Sequence, residues 1–168
     1  MKRKLPLIVL LFALAVACFG QPNASWDKWT WLMGEWKGEG NGQPGQGGGT
    51  FSFVYDLGKN VIVRKSHSEY AAKDNKPEII HDDLMIVYPG NGEQPKAIYF
   101  DNEGHVINYL ISYADSSIIL TSEIVANAPL FRLTYTLLGS NTIDIKFELS
   151  RDGKSFMTYI EGKSKKIK

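Results

Sequence analysis

Residues 131–150 read FRLTYTLLGSNTIDIKFELS. Phe131, Leu133, Tyr135 and Leu137 interleave with Arg132, Thr134 and Thr136, and Ile143, Ile145, Phe147 and Leu149 interleave with Asp144, Lys146 and Glu148. A period of two sends the apolar set to one face and the polar set to the other, as in antiparallel strands with one wet side. Gly139-Ser140-Asn141 between them supplies turn residues. The stretch is therefore two strands joined by a tight connection.

The same theme runs outward in both directions. Short runs rich in Val, Ile, Tyr, Phe and Thr are broken by turn residues roughly every 8–12 positions. Strands are expected near 35–40, 50–55, 60–70, 79–88, 95–100, 105–113, 117–126, 130–138, 142–150 and 155–161. Asp152-Gly153 suits a two-residue hairpin loop. No helical crossover separates these runs, so they form an antiparallel meander. Closing a meander removes its edges, which favours an up-and-down barrel over a sandwich. The expected fold is all-β, a barrel of about ten strands with one short N-terminal helix, SWDKWTWLM at 25–33. There Ser25 caps, and Trp26, Trp29 and Met33 share a face that covers one end of the barrel.

The N-terminus reads as a targeting segment. Lys2, Arg3 and Lys4 precede an apolar run, Leu5 to Val16, too short to span a bilayer and followed by small residues. Residues 1–20 are expected to be a signal peptide, with the barrel domain at 25–168. Ala15-Val16-Ala17 before Cys18 loosely resembles a bacterial lipobox, and a cut after Ala17 or Gly20 is the alternative. The product is exported: periplasmic, secreted, or an outer-membrane lipoprotein whose only membrane attachment is a lipid on Cys18. Cys18 is the one cysteine, so the domain has no disulfide and depends on its core. Without the three N-terminal cations, 16 basic side chains face 18 acidic ones, a balance in which nothing points to nucleic-acid binding.

Gly34-Glu35-Trp36, after the helix and opening the first strand, resembles the G-x-W signature of lipocalins and fatty-acid-binding proteins. GEWKGEG is similar to the corresponding stretch of nitrobindin-type haem barrels. WLMGEWKGEG, HDDLMIVYP at 81–89, YFDNEGHVINY at 99–109, FRLTY at 131–135 and the closing DGKSF together resemble a bacterial family of exported lipocalin-like domains of unknown function. The resemblance implies a calycin-like barrel with an internal cavity. It also implies that a late-strand arginine, here Arg132, packs at the Trp36 end. Nitrobindin-type barrels bind iron through a histidine near the C-terminus, and no histidine follows His105. Haem is not expected, and no other cofactor is implied.

Other chemical candidates are weaker. Gly-rich GEGNGQPGQGGGT at 38–50 is interrupted by Pro44, lacks GK[ST] and leads into a strand, so it is a connection at the barrel mouth and not a phosphate loop. His67 and Glu69 share a strand face, but a metal site needs three or four ligands. Their face and that of Arg64, Ser66, Ser68 and Tyr70 both carry apolar residues, Val61 and Val63 against Ile62, so the inward face is open. His81-Asp82-Asp83 begins a strand and is expected in solvent. Neither a G-x-S-x-G elbow nor a cysteine nucleophile is present.

In YFDNEGHVINY, Asp101, Glu103 and His105 have the spacing of one strand face, but Asn102-Glu103-Gly104 is a turn. Gly104 is expected at positive φ, with Glu103 in solvent and Asp101 paired to His105 across the hairpin. His105, Ile107, Tyr109, Ile111 and Tyr113 continue one register, and tyrosines on a cavity wall give ligand pockets their polar handles. The residues expected to contact ligand are Trp36, Tyr99, His105, Tyr109 and Arg132. The expected function is a binding module holding a small hydrophobic or amphipathic molecule inside the barrel. An enzyme using a His or carboxylate base in that cavity, and an envelope scaffold with a filled barrel, are the other readings.

Overall fold

All ten runs of alternating side chains become strands, and each pairs antiparallel with its neighbours in sequence. They are β1 Gly34–Gly38, β2 Thr50–Asp56, β3 Val61–Tyr70, β4 Ile79–Tyr88, β5 Lys96–Asp101, β6 Val106–Ala114, β7 Ser117–Ser122, β8 Leu130–Gly139, β9 Thr142–Ser150 and β10 Met157–Lys166. The computed structural model describes residues 25–40, 48–70, 72, 77–90 and 94–168. Pairing of Trp36 with Lys166 and Gly38 with Ser164 joins β1 to β10 and closes an up-and-down barrel. The signal peptide, Cys18 and positions 41–47 of the glycine-rich stretch lie outside the described residues. Among the described residues, no helix is long and apolar enough to cross a membrane.

The N-terminal helix is not the α-helix expected over 25–33 but a 3₁₀ turn, Asp27–Leu32. Its period of three aligns Trp26, Trp29 and Leu32, all buried, where a 3.6 period would have aligned Met33. Ser25 does not cap it; the Ser25 hydroxyl donates to Asp27 Oδ2 instead, at 2.8 Å. The turn closes one end of the barrel. Trp29 packs on Phe53 and donates from Nε1 to the Tyr113 hydroxyl at 3.0 Å, while Trp26 Nε1 donates to the Lys59 carbonyl at 2.8 Å. The connections at 57–60, 115–116 and 140–141 and the adjoining ends of β4 and β5 lie at this closed end, and the opposite strand ends surround the open end.

Strand ends also differ from the sequence expectation: β7 stops at Ser122 and not at 126, and β1 stops at Gly38 and not at 40. β10 runs on to Lys166, because its last residues close the barrel through backbone hydrogen bonds that need no apolar side chain. The β9–β10 connection spans 151–156 rather than a two-residue loop. Asp152 Oδ1 accepts the amides of Lys154 and Ser155 at 2.9 and 2.7 Å, an Asx-type turn that occupies more chain.

Candidate functional site

Strand parity fixes what faces inward. Phe51 and Phe53 on β2, Ile62 on β3, Met85 and Val87 on β4, Ala97 on β5 and Tyr109 and Ile111 on β6 are all buried in the core. Their two-residue neighbours must share that direction. Arg64, Ser66 and Ser68, not His67 and Glu69, therefore point into the barrel. So do Asp83 and, at the rim, His81.

The closed half of the interior is solid. Trp29, Leu32, Trp36, Phe53 and Ile143 have no accessible surface, and Trp36 Nε1 donates to the Leu32 carbonyl at 2.8 Å. The open half has two unlike walls. On β6, β8, β9 and β10, Ile107, Phe131, Phe147 and Ile160 point inward and are only partly buried. Phe131 and Phe147 stack with centroids 5.7 Å apart. The facing wall, on β3 to β5, carries Arg64, Ser66, His81, Asp83, Tyr99 and Asp101.

That second wall is wired together. Arg64 Nη1 is ion-paired with Asp83 Oδ1, both side chains being nearly buried, and the guanidinium lies over the Phe51 ring, 5.4 Å from its centroid. His81 Nε2 is 3.1 Å from the Tyr99 hydroxyl and its Nδ1 is 3.1 Å from Glu103 Oε1. Tyr99 also reaches Asp101 Oδ2 at 3.4 Å, and that oxygen holds His105 Nδ1 at 2.8 Å. Burial, then Asp83 and Asp101, drive the Tyr99 pKa upward; burial does the same for Tyr109. Tyr135 is pushed up to about 12 by burial, with Arg64 opposing and Asp83 adding to the shift. Burial disfavours the Arg64 charge, but Tyr135 and Asp83 outweigh it. All three phenols remain protonated at neutral pH. Arg64 Nε and the Tyr135 hydroxyl are buried without a hydrogen-bond partner.

The sequence candidates divide accordingly. Tyr99 and Tyr109 belong to this interior centre. Trp36 is a packed floor residue. His105 stands at the rim with an exposed ring, and its amide and Nδ1 both bind Asp101. Gly104 has φ 91° and Glu103 is exposed, as a turn there requires. Arg132 is on the outer face, with Nε donating to Glu148 at 2.7 Å and its guanidinium 3.9 Å from the Phe156 ring centroid. The cation over Trp36 is instead Lys166, at 5.2 Å, because β10 and not β8 adjoins β1.

Sequence reasoning missed Arg64, Asp83, His81 and Tyr135 as site residues. Asp83 shares parity with Met85 and Val87, a signal that it faces inward, but an acid in a core becomes credible only once its cation is placed opposite.

A separate concavity of about 750 Å³ lies outside the barrel, across β1 to β5. Lys65, Leu84 and Phe100 form one bank and Thr50, His67 and Asp82 the other. Its floor is strand backbone already paired in the sheet. Both ring nitrogens of His67 are engaged, with Asp82 at 2.6 Å and Glu69 at 2.9 Å. Among the described residues, no group of three or more His, Cys, Asp or Glu is placed to hold a metal ion. No family model and no curated protein matches the chain.

Proposed function

We propose that the protein is an exported lipocalin-like barrel that binds a small amphipathic molecule through its open end, the tail on the Phe131–Phe147 side and the polar group on the Arg64–Tyr99 side. The observation that carries this reading is the two-walled open half. A chamber packed only for stability has no use for one charged wall facing one apolar wall, whereas pockets for small molecules pair apolar area with a few fixed polar groups. Export, and a lipid anchor on Cys18, rest on the N-terminal sequence. The affiliation rests on the segments from WLMGEWKGEG to DGKSF. Gentle purification followed by native mass spectrometry and an absorbance scan tests the binding reading. A co-purified molecule of a few hundred daltons supports it. A haem band would restore haem, and a chain of bare mass that takes up no amphiphile would leave a filled scaffold. The mass of the mature N-terminus distinguishes a lipidated Cys18 from a plain cleavage.

One observation favours a second reading, an enzyme. Glu103, His81 and Tyr99 form a carboxylate–imidazole–hydroxyl chain at the chamber edge. Tyr99 is too weak an acid to serve as an anionic nucleophile, so His81 would be the base and Glu103 its orienting partner. Turnover of a bound molecule that disappears in His81→Gln, with binding retained, would establish it.

A further inference from the structure

The strongest unexplained feature of the interior is a pair of buried polar atoms without partners, Arg64 Nε and the Tyr135 hydroxyl. Nearly all buried polar groups in native proteins are hydrogen-bonded, and each exception asks for a reason. A chain of aromatic contacts links the two residues across the interior. The Arg64 guanidinium covers Phe51, Phe51 meets Phe53 edge-on, and Phe53 meets the Tyr135 ring edge-on at 5.4 Å. Each also acts electrostatically on the other.

Asp83 holds the guanidinium by Nη1 and fixes its direction. The Nε edge stays unused, and it is a donor with no acceptor capacity. The Tyr135 hydroxyl adds a second donor. Their ring neighbours are apolar on the Phe51 and Phe53 side. About a tenth of the Arg64 side-chain surface remains accessible (11%), although Nε itself is covered.

We propose that Arg64 Nε and the Tyr135 hydroxyl form the head-group anchor of the chamber, and that the anchor takes an uncharged oxygen acceptor, a carbonyl or hydroxyl, on an apolar tail. The inference rests on the binding reading above and names the ligand class within it. Two donors without acceptors select an acceptor oxygen. Charge selects a neutral one. Arg64 is already neutralised by Asp83, and the other groups facing the anchor are Asp101, whose charge His105 balances, together with Glu103 and His81 at the rim. A carboxylate would add an uncompensated negative charge beside Asp83 and Asp101. An ammonium could donate to the Tyr135 oxygen but would leave Arg64 Nε unsatisfied and set a second cation beside the guanidinium. Because both atoms are covered by side chains, the oxygen reaches them only as a neighbouring side chain moves aside.

The test is titration calorimetry of the mature protein at neutral pH with a matched ten-carbon series: 2-decanone, 1-decanol, decanoate, decylamine and decane. The ketone and alcohol are expected to bind, with decanoate, decylamine and decane weaker by about tenfold or more, the scale of one hydrogen bond to a charged group. Tyr135→Phe is expected to weaken the ketone about threefold to tenfold, leave decane unchanged, and raise the melting temperature of the free protein by removing an unmet hydroxyl. Arg64→Lys keeps the charge on Asp83 but removes the Nε donor, and is expected to erase the preference for the ketone. Preference for decanoate or decylamine overturns the neutral-oxygen anchor. Equal binding of all five leaves the chamber reading standing and removes the anchor. A lower melting temperature in Tyr135→Phe shows the hydroxyl already satisfied in the free protein, and also removes the anchor. No binding by any probe removes the chamber itself.

Discussion

The two ends of this barrel solve opposite problems with the same ten strands. At the closed end, Trp26, Trp29 and Leu32 descend from the 3₁₀ turn into the lumen, and their polar atoms are matched to Lys59 and Tyr113. At the open end, inward positions carry Arg64, Asp83, Tyr99 and Asp101, and Arg64 Nε goes unmatched. One end is optimised for packing. The other retains polar groups whose burial costs free energy, as sites that bind or react commonly do. The contrast suggests that stability and function are separated along the barrel axis, and substitutions at the two ends should respond differently.

The largest effect is expected at the closed end. Trp29→Ala removes a fully buried indole together with its hydrogen bond to Tyr113, and should cost about 3–5 kcal/mol in denaturant unfolding. A cost under about 1 kcal/mol would mean that the turn is an ornament and not a plug. At the open end, Asp83→Leu should cost about as much, roughly 3–5 kcal/mol, but for a different reason: it leaves Arg64 charged and unpaired in a buried place. The double variant Arg64→Met with Asp83→Leu should recover most of that loss. No such rescue exists for Trp29. If the double variant is as unstable as the single one, the ion pair is structural and the contrast between the ends fails.

The two ends also differ at single glycines. Gly34 at the closed end has φ 116°, and an added Cβ would collide with the Lys168 carbonyl and the Lys166 side chain. Gly104 at the open rim has φ 91° with nothing within 4 Å of an added Cβ. Gly104→Ala should therefore cost only the backbone term, about 1–2 kcal/mol. Gly34→Ala carries the same term plus the clash, and should be the more damaging in thermal melts.

How much of this the sequence disclosed depends on what each residue type reports. Ile143 to Leu149 and Phe131 to Leu137 announced their strands because one face is apolar and the other is not. Lys163, Ser164, Lys165 and Lys166 announced nothing, since the barrel closes there through the backbone and their side chains carry no alternation. The inward face of β3 was illegible locally because Val61, Ile62 and Val63 serve both faces equally. Only the neighbouring strand decides it: Phe53, buried on β2, sits opposite Arg64 and so turns it inward. The turn at Asn102–Gly104 was legible because glycine and the Asp101–His105 pair are local. The polar centre was not, because Arg64, Asp83, Tyr99 and Tyr135 are distant in sequence and meet only when the sheet curls on itself.

The smallest effect concerns that local pair. Burial pushes the Asp101 carboxyl upward, but the His105 amide and ring outweigh it and hold the group below its ordinary 3.8. The hydrogen bond to Asp101 raises His105 above its ordinary 6.5. The signs then follow. A lowered carboxylate stabilises the fold above its unfolded value and loses that contribution as pH falls through the folded one; a raised imidazole contributes fully below its unfolded value and loses the contribution as pH rises through the folded one. The hairpin lock is thus complete from about pH 4 to pH 6.5 and fades on both sides. The ring of His105 is exposed, so the effect on global stability is small and is best read at the residue. Proton NMR should find His105 titrating above 6.5 and returning toward it in Asp101→Asn. Titration at or below 6.5 in the unaltered protein would show the pair unformed in solution. In that case Asp101 would be held by the backbone amides of Glu103 and His105 alone, free to take the Tyr99 hydroxyl from His81, and the open end would be less ordered than its counterpart by one more contact.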